Sequence, residues 1–303
     1  NSYCCVIMNE EIEITASEQA YRDPLVTIGL PTFNRPAGLQ KALEYILKQT
    51  YRNLEIIISD NCSTDEEVQK IIADYASKDR RIKNFRQGVN IGLEENFNFV
   101  FSKSTAQYFI WMSDDDYFDN NYIAECVRFL EKHTDYVLCS GIAKYYSENN
   151  FLFEEKMFRV NKKKPVSRLF KYFSNVNKNG NFYGVFRNKL FSGKPMGVQV
   201  GCDWSFMAKL SILGKLTFIN TAAYHRSAEG NSGTRKRMVK KFKVNRFQNI
   251  FFETYSAYVI SANIFNDPAV RYKINLLTRN LAVVVIFFQI NWKLFFKFVR
   301  KIF

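Results

Sequence analysis

At 303 residues, 47% of them hydrophobic and 16% aromatic, the chain has enough apolar side chain for one large domain with an appendage, and it is no disordered protein. Its net charge of +14 gathers at one end: residues 235–303 hold 14 Lys+Arg against 2 Asp+Glu, and residues 1–234 hold 29 against 27. The basic character therefore asks for a partner of the tail, and excludes a basic surface spread over the whole molecule.

Residues 1–22 form an N-terminal extension with Glu10, Glu11, Glu13 and Glu18 and no apolar run of signal length. Residues 25–30 read as a buried strand stopped at Pro31, after which Leu39, Leu43, Ile46 and Leu47 recur at helical spacing. Residues 54–58 are a second strand, followed by a turn at Asp60–Asp65 and a helix with Val68, Ile71, Ile72 and Tyr75 on one face. A shorter strand at 82–85, a loop at 88–92 and a helix at 93–101 lead to the strongly apolar strand 108–112. That strand runs straight into Asp114, Asp115 and Asp116. Such alternation predicts an α/β fold: a mostly parallel sheet with helices on both faces and a Rossmann-like nucleotide-binding half. Ligands of such sheets bind beyond the carboxyl ends of the strands, where three polar loops gather here. Past residue 140 the pattern loosens into a strand at 182–186, a helix at 204–213 stopped by Gly214 and a strand at 216–219. Beyond Arg235 the sequence is helical and basic. The expected organisation is thus an extension (1–22), a nucleotide-binding domain (23–234) and a C-terminal helical appendage (235–303).

Six cysteines (Cys4, Cys5, Cys62, Cys126, Cys139, Cys202) lack the spacing of a disulfide framework or a metal finger, and read as reduced thiols of a cytoplasmic protein. The longest apolar run, residues 281–288, falls short of the roughly 18–20 residues of a membrane-spanning helix.

Three adjacent carboxylates after a buried strand repel one another unless a cation or water relieves them. Mg2+ and Mn2+ take oxygen ligands and bridge carboxylates to phosphates; a solvated turn capping the next helix is the plainer alternative. Asp60 follows its strand in the same way, suited to a base or ribose, or simply to an Asx-turn. Asn90-Ile91-Gly92 allows backbone to approach a ligand closely.

These segments together resemble a family. Leu25-Val26-Thr27-Ile28-Gly29-Leu30-Pro31-Thr32-Phe33-Asn34-Arg35, then residues 49–65, then Asn90-Ile91-Gly92, then Trp111-Met112-Ser113-Asp114-Asp115-Asp116-Tyr117 look like the family 2 glycosyltransferases of the GT-A fold, particularly bacterial cell-surface polysaccharide enzymes. The match is close over residues 24–140 and less clear to 232. The resemblance implies an inverting, metal-dependent transfer of sugar from a nucleoside-diphosphate sugar, with UDP the commonest nucleotide of similar enzymes. It puts Pro31, Thr32, Asn34 and Arg35 against the nucleotide, Asp60 at the base, and Asn90, Gly92, Asp114 and Asp115 around the donor. Asp116, Asp114 and His225 would hold Mn2+ or Mg2+, and Arg226 would offset leaving-group charge. Ser113 stands where the family carries its first Asp, which leaves open which two carboxylates face the metal. Gly201-Cys202-Asp203-Trp204 has the shape of the family's base segment, with Cys202 in place of the first acid; Asp203 is the implied catalytic base, or else a helix cap.

A nucleotidyltransferase would carry a Gly-rich loop after the first strand, which residues 31–35 lack, and a non-catalytic adaptor on the same fold is the other alternative. In a helix from Asn291, Trp292, Phe295, Phe296, Val299, Ile302 and Phe303 face one way and Lys293, Lys297, Arg300 and Lys301 the other. Such a helix suits the interface of a membrane, so peripheral attachment to the inner face of the cell membrane near a glycan or lipid-linked acceptor is expected. Packing on the domain is the alternative. Nucleic acid is not an expected partner, because the apolar face would stay uncovered.

Overall fold

The computed structural model describes residues 23–147, 150–191, 193–228 and 235–302. The extension 1–22 and the loop Gly230-Asn231-Ser232-Gly233 lie outside them, as do the side chains from 292 onward that carry the two-sided tail pattern.

The first half follows the expected alternation: β1 (Val26–Thr32), α1 (Pro36–Leu47), β2 (Leu54–Asp60), α2 (Glu66–Lys78), β3 (Ile82–Arg86), α3 (Leu93–Ser102) and β4 (Tyr108–Trp111). Every residue of β1, β2 and β4 is buried, as befits parallel strands covered on both faces. Pro36 opens α1, where a missing N–H costs nothing. Asp65 caps α2 by accepting from the Glu67 N–H, with Glu66 and Glu67 in the first turn. The strands lie in the order β3-β2-β1-β4, all parallel. Thr32 pairs with Asp60, so these strands end together.

The second half departs from the expectation of a mostly parallel sheet. β5 (Tyr117–Phe118), β6 (Tyr136–Ser147), β7 (Asn150–Glu154), β8 (Val185–Arg187) and β9 (Lys215–Ser227) extend the order to β3-β2-β1-β4-β8-β6-β9-β5, with β7 beside β6. Only β6–β9 is parallel here; β4–β8, β6–β8, β5–β9 and β6–β7 are antiparallel. The result is a mixed sheet. Two register shifts interrupt the β6–β9 pairing, and Gly141 sits where an added Cβ would lie 2.3 Å from the Ala222 carbonyl oxygen. The polar centre of β9, Asn220-Thr221, hides a strand that continues to Ser227. The expected strand at 182–186 is in fact a 3-10 turn (Gly180–Tyr183) followed by β8.

Helices α4 (Tyr122–Lys132), α5 (Pro165–Asn175) and α6 (Cys202–Leu213) cover this half. Trp111 centres the core, stacked on Phe182 at 5.2 Å and edge-on to Phe109 and Phe206. Its indole N–H donates to the Phe97 carbonyl at 3.0 Å, so the buried ring leaves no polar atom unpaired. Cys62, Cys126, Cys139 and Cys202 are free thiols.

Helices α7 (Arg235–Lys241), α8 (Arg246–Ile250), α9 (Phe252–Asn266), α10 (Pro268–Arg271) and α11 (Leu276–Ile302) complete the described chain. They are no separate unit. Ile260, Ile264, Phe265, Val270, Ala282, Ile286 and Ile290 belong to the same buried cluster as the sheet. Lys209 of α6, buried, pairs with Asp267 at 3.0 Å. No helix among the described residues is long and apolar enough to cross a membrane.

Candidate active site

The loops at the ends of β1, β2 and β4 are tied to one another. Thr32 Oγ1 donates to Asp114 Oδ2 at 2.7 Å, and Arg35 Nη1 reaches Asp114 Oδ1 at 3.1 Å and Asp115 Oδ2 at 2.8 Å. Ser113, the departure from the family's acidic pattern, gives its hydroxyl to Asp115 Oδ1. An added Cβ at Gly38 would lie 2.2 Å from the Asp114 carbonyl oxygen. Glycine there lets the positive end of α1 press on the acidic loop.

Asn34, at φ 53°, accepts from the Thr64 and Asp65 N–H groups at 2.8 and 3.2 Å, latching the first loop to the second. The fully buried Asp60 accepts from Ser63 N at 2.9 Å and Gln69 Nε2 at 2.5 Å, with Arg86 Nε 3.6 Å away. Its carboxylate builds the loop from within. Asn61, passed over in the sequence except as part of a motif, accepts from Ile91 N at 2.9 Å and donates to Asn90 Oδ1 and the Gly92 carbonyl. Pro31, in register with Ser59, completes the floor. Pro31, Thr32, Asn34, Asp60, Asn90 and Gly92 thus meet at the ends of β1 and β2, with Pro31, Thr32 and Asp60 buried beneath the exposed Asn34 and Asn90.

The third loop meets β9. Tyr224 Oη donates to Asp116 Oδ2 at 2.7 Å, and Ser227 N to Asp116 Oδ1 at 2.8 Å. Burial, with Asp115 beside it, pushes the Asp116 carboxyl up to about 7. Burial also raises Asp114, against the pull of Thr32 and Arg35. Arg226 Nε stands 3.9 Å from Asp116 Oδ2 and is buried with no hydrogen-bond partner among the described residues. Its guanidinium packs over the rings of Tyr183 at 4.7 Å and Tyr145 at 5.2 Å.

His225 goes elsewhere. It lies in β9, paired with Tyr117 of β5, and not in a loop. Side chains alternate across a strand, so Tyr224 and Arg226 face Asp116 while His225 faces away. One ring nitrogen meets Asp119 Oδ1 at 2.8 Å, the other Tyr146 Oη at 3.1 Å, and the ring stacks on Tyr117. The structure does not bring this imidazole to the carboxylates it was expected to join.

Asp203 lies in the first turn of α6, behind Gly201 at φ 69°. The cap position is Gly201, and the Asp203 carboxylate turns to Asn179, whose Nδ2 donates to Oδ2 at 3.0 Å. Burial raises the Asp203 carboxyl above the usual range; Asn179, the Trp204 N–H and Arg226 oppose it. Tyr183 lies under the Arg226 guanidinium at 4.7 Å and stacks on Tyr224 at 4.5 Å. Asn179, Tyr183 and Tyr145 carried no signal in the sequence.

No three His, Cys, Asp or Glu side chains among the described residues form a metal-holding group. The donor set still fits a hard divalent ion: Asp114, Asp115 and Asp116 follow one another beside Arg35 and Arg226, and burial pushes the Asp116 carboxyl up to about 7. An ion here would take one or two carboxylates and complete its shell with phosphate and water.

Residues 27–193, more than half the chain, match the family described as Glycosyl transferase family 2. An uncharacterized glycosyltransferase of Rickettsia bellii is 27% identical over 182 residues, 60% of this chain and 23% of that protein. The GalNAc(5)-diNAcBac-PP-undecaprenol beta-1,3-glucosyltransferase of Campylobacter jejuni is 27% identical over 172 residues, 56% of this chain and 54% of that protein. The chain therefore spans only a quarter to a half of these relatives' lengths. The structure of S. aureus TarS 1-349 superposes with TM-score 0.58 at 15% identity, over 88% of this chain and 71% of that one, a likeness of fold. The chain belongs to Glycosyl transferase family 2 and has the GT-A fold.

Proposed function

We propose that the enzyme moves a sugar from a nucleoside-diphosphate sugar, UDP-linked in the first instance, to an acceptor hydroxyl with inversion. S. aureus TarS has been solved with UDP and with UDP-GlcNAc, and the Pyrobaculum calidifontis mannosyltransferase PcManGT with GDP-Man and Mn2+. The observation that carries the reading is the placement of Arg226, buried with its Nε 3.9 Å from Asp116 Oδ2 and with no hydrogen-bond partner for that nitrogen among the described residues.

The surface from Pro31 to Gly92 receives the nucleotide, and Asn34 and Asp60 hold its loops in shape. Arg35 and Arg226 meet the diphosphate. Asp116 and Asp115 would hold Mn2+ or Mg2+, with Asp114 bracing the loop through Thr32; bound there, the cation offsets charge on the departing diphosphate. Asp203 takes the acceptor's hydroxyl proton as that oxygen bonds to the anomeric carbon and the bond to the diphosphate breaks on the opposite side. A carboxyl raised by burial is a better base than one in water.

The Campylobacter relative is named for glucosyl transfer to a PP-undecaprenol-linked glycan. With the +12 tail and an exposed apolar face on α11, this supports a lipid-linked acceptor met at an anionic membrane surface.

The test is Asp203→Asn, read by UDP calorimetry and by turnover of UDP-sugars. UDP affinity should hold while turnover falls about 10²–10⁴-fold. Near-full turnover would remove Asp203 from the chemistry.

A further inference from the structure

Asp203 does not hold its own orientation. Asn179 Nδ2 donates to Asp203 Oδ2 at 3.0 Å, and Asn179 Oδ1 accepts from Tyr172 Oη at 3.1 Å. Turning the amide over would set its oxygen against a carboxylate, so the charge fixes which atom faces Asp203. Asn179 is buried and sits at φ 61°, a left-handed conformation that Asn and Gly tolerate and most residues do not.

A second carboxylate straps the turn that carries Asn179. Glu155, buried, accepts from Lys178 N at 3.1 Å and from Gly180 N at 2.9 Å, one residue to either side of Asn179. A Cβ at Gly180 would lie 2.5 Å from Glu155 Oε2. Glu155 Oε2 also accepts from Tyr145 Oη at 3.2 Å, and Tyr145 Oη accepts from Arg226 Nη1 at 2.9 Å. One continuous set of contacts runs from Arg226, beside Asp116, through Tyr145 and Glu155 to the turn that grips Asp203.

We propose that Asn179 is a positioning residue for the catalytic base, and that Glu155 holds it in place by clamping the turn from Lys178 to Gly180. The amide pins one carboxylate oxygen and thereby aims the other at the acceptor. This rests on Asp203 being the base. The groups facing Asp203 are Asn179, Arg226 from β9, Tyr172 from α5, Tyr183 from the 3-10 turn, and Cys202 on its own helix. Of these, Asn179 is the side chain that hydrogen-bonds the carboxylate itself.

The experiment is a 13C-carboxyl NMR titration of the full chain, with the Asp203 signal identified by its loss in Asp203→Asn. Asn179→Gly keeps the left-handed turn and removes the amide. A hydrogen bond to a charged group is typically worth enough to move a carboxyl by about one to two pH units. The Asp203 titration should therefore move up by that amount in Asn179→Gly, and the acid limb of UDP-sugar turnover, with water as acceptor, should move with it. UDP affinity should stay within about twofold, since the first three loops are untouched. Tyr172→Phe, which frees the amide oxygen without altering the turn, should give a smaller shift in the same direction and serves if the glycine variant fails to fold. An unmoved Asp203 titration in a folded Asn179→Gly or Tyr172→Phe chain would overturn the proposal. A moved titration beside an Asp203→Asn enzyme with full turnover would uphold the contact and remove the base.

Discussion

At the scale of single residues, the acidic loop carries a cost in stability. The Asp116 carboxyl lies near 7, far above its unfolded value. Below about pH 4 both states hold the proton, so this group contributes no difference. Between about 4 and 7 the folded state keeps a proton that the unfolded chain has released, so metal-free stability falls as pH rises. Above 7 the loss is complete, on the order of 4 kcal/mol. Asp116→Asn preserves the shape: its oxygen can accept from Ser227 N and its amide can donate to Tyr224 Oη. With chelator at pH 8 this variant should melt above the parent, the gap closing toward pH 4. Added Mn2+ should raise the parent's Tm and leave the variant's unchanged. Parallel pH profiles for the two chains would refute the account. Asp114, Asp115 and Asp116 stood out because charge beside an apolar run is a local pattern, and Asp203 stood out only through the likeness of residues 201–204 to the family's base segment. Asn179, Glu155 and Tyr145 were not: they are ordinary residues in sequence, and their meeting depends on pairings of β6 that no local pattern announces.

At the scale of elements, α11 presents two apolar faces. Ala282, Ile286 and Ile290 pack into the core, while Leu276, Leu277, Val283, Val284, Phe287 and Phe288 stay exposed on another side. An apolar face uncovered among the described residues suits a contact, and with the exposed Arg271 and Lys273 just before it an anionic lipid surface is the proposed partner. Each basic residue near such a surface adds about 1 kcal/mol. The full chain should pellet with anionic vesicles, less so at high salt. The double variant Leu277→Asp, Phe288→Asp should stay in the supernatant at unchanged Tm. Equal pelleting by both would strip α11 of this role. The tail helix expected from Asn291 proves to begin at Leu276, because its first half spends one face on the body and so lacks a charged side to betray it. In the same way β1, β2 and β4 were readable as continuous apolar runs, whereas β9 was cut short at its polar centre.

At the scale of the whole molecule, charge and core divide the chain differently. The basic residues separate 235–303 from the rest, yet Ile260, Ile264 and Ile286 lie in one cluster with the sheet, and Lys209 depends on Asp267 for its partner. Removing an unpaired charge's partner from a buried site is strongly destabilising, and the lost apolar cover adds to it. A chain ending at residue 234 should therefore be insoluble or melt far below the full chain. A stable truncated form with full UDP affinity would show the helices to be a true appendage. The α/β class and the parallel half were legible because parallel strand–helix units leave a periodic trace. The antiparallel half left none, since β5 and β8 are only two and three residues long.

Arg35, salt-bridged at rest to Asp114 and Asp115, makes the empty enzyme its own placeholder. A cation coming to Asp115 must evict a guanidinium already seated there, and an evicted charge needs somewhere to go. On the proposed reading the donor's phosphates would supply that destination. Metal and donor would then ease each other's entry, the arginine passing from carboxylate to phosphate, and Mn2+ should hold the chain more tightly with UDP present than without it.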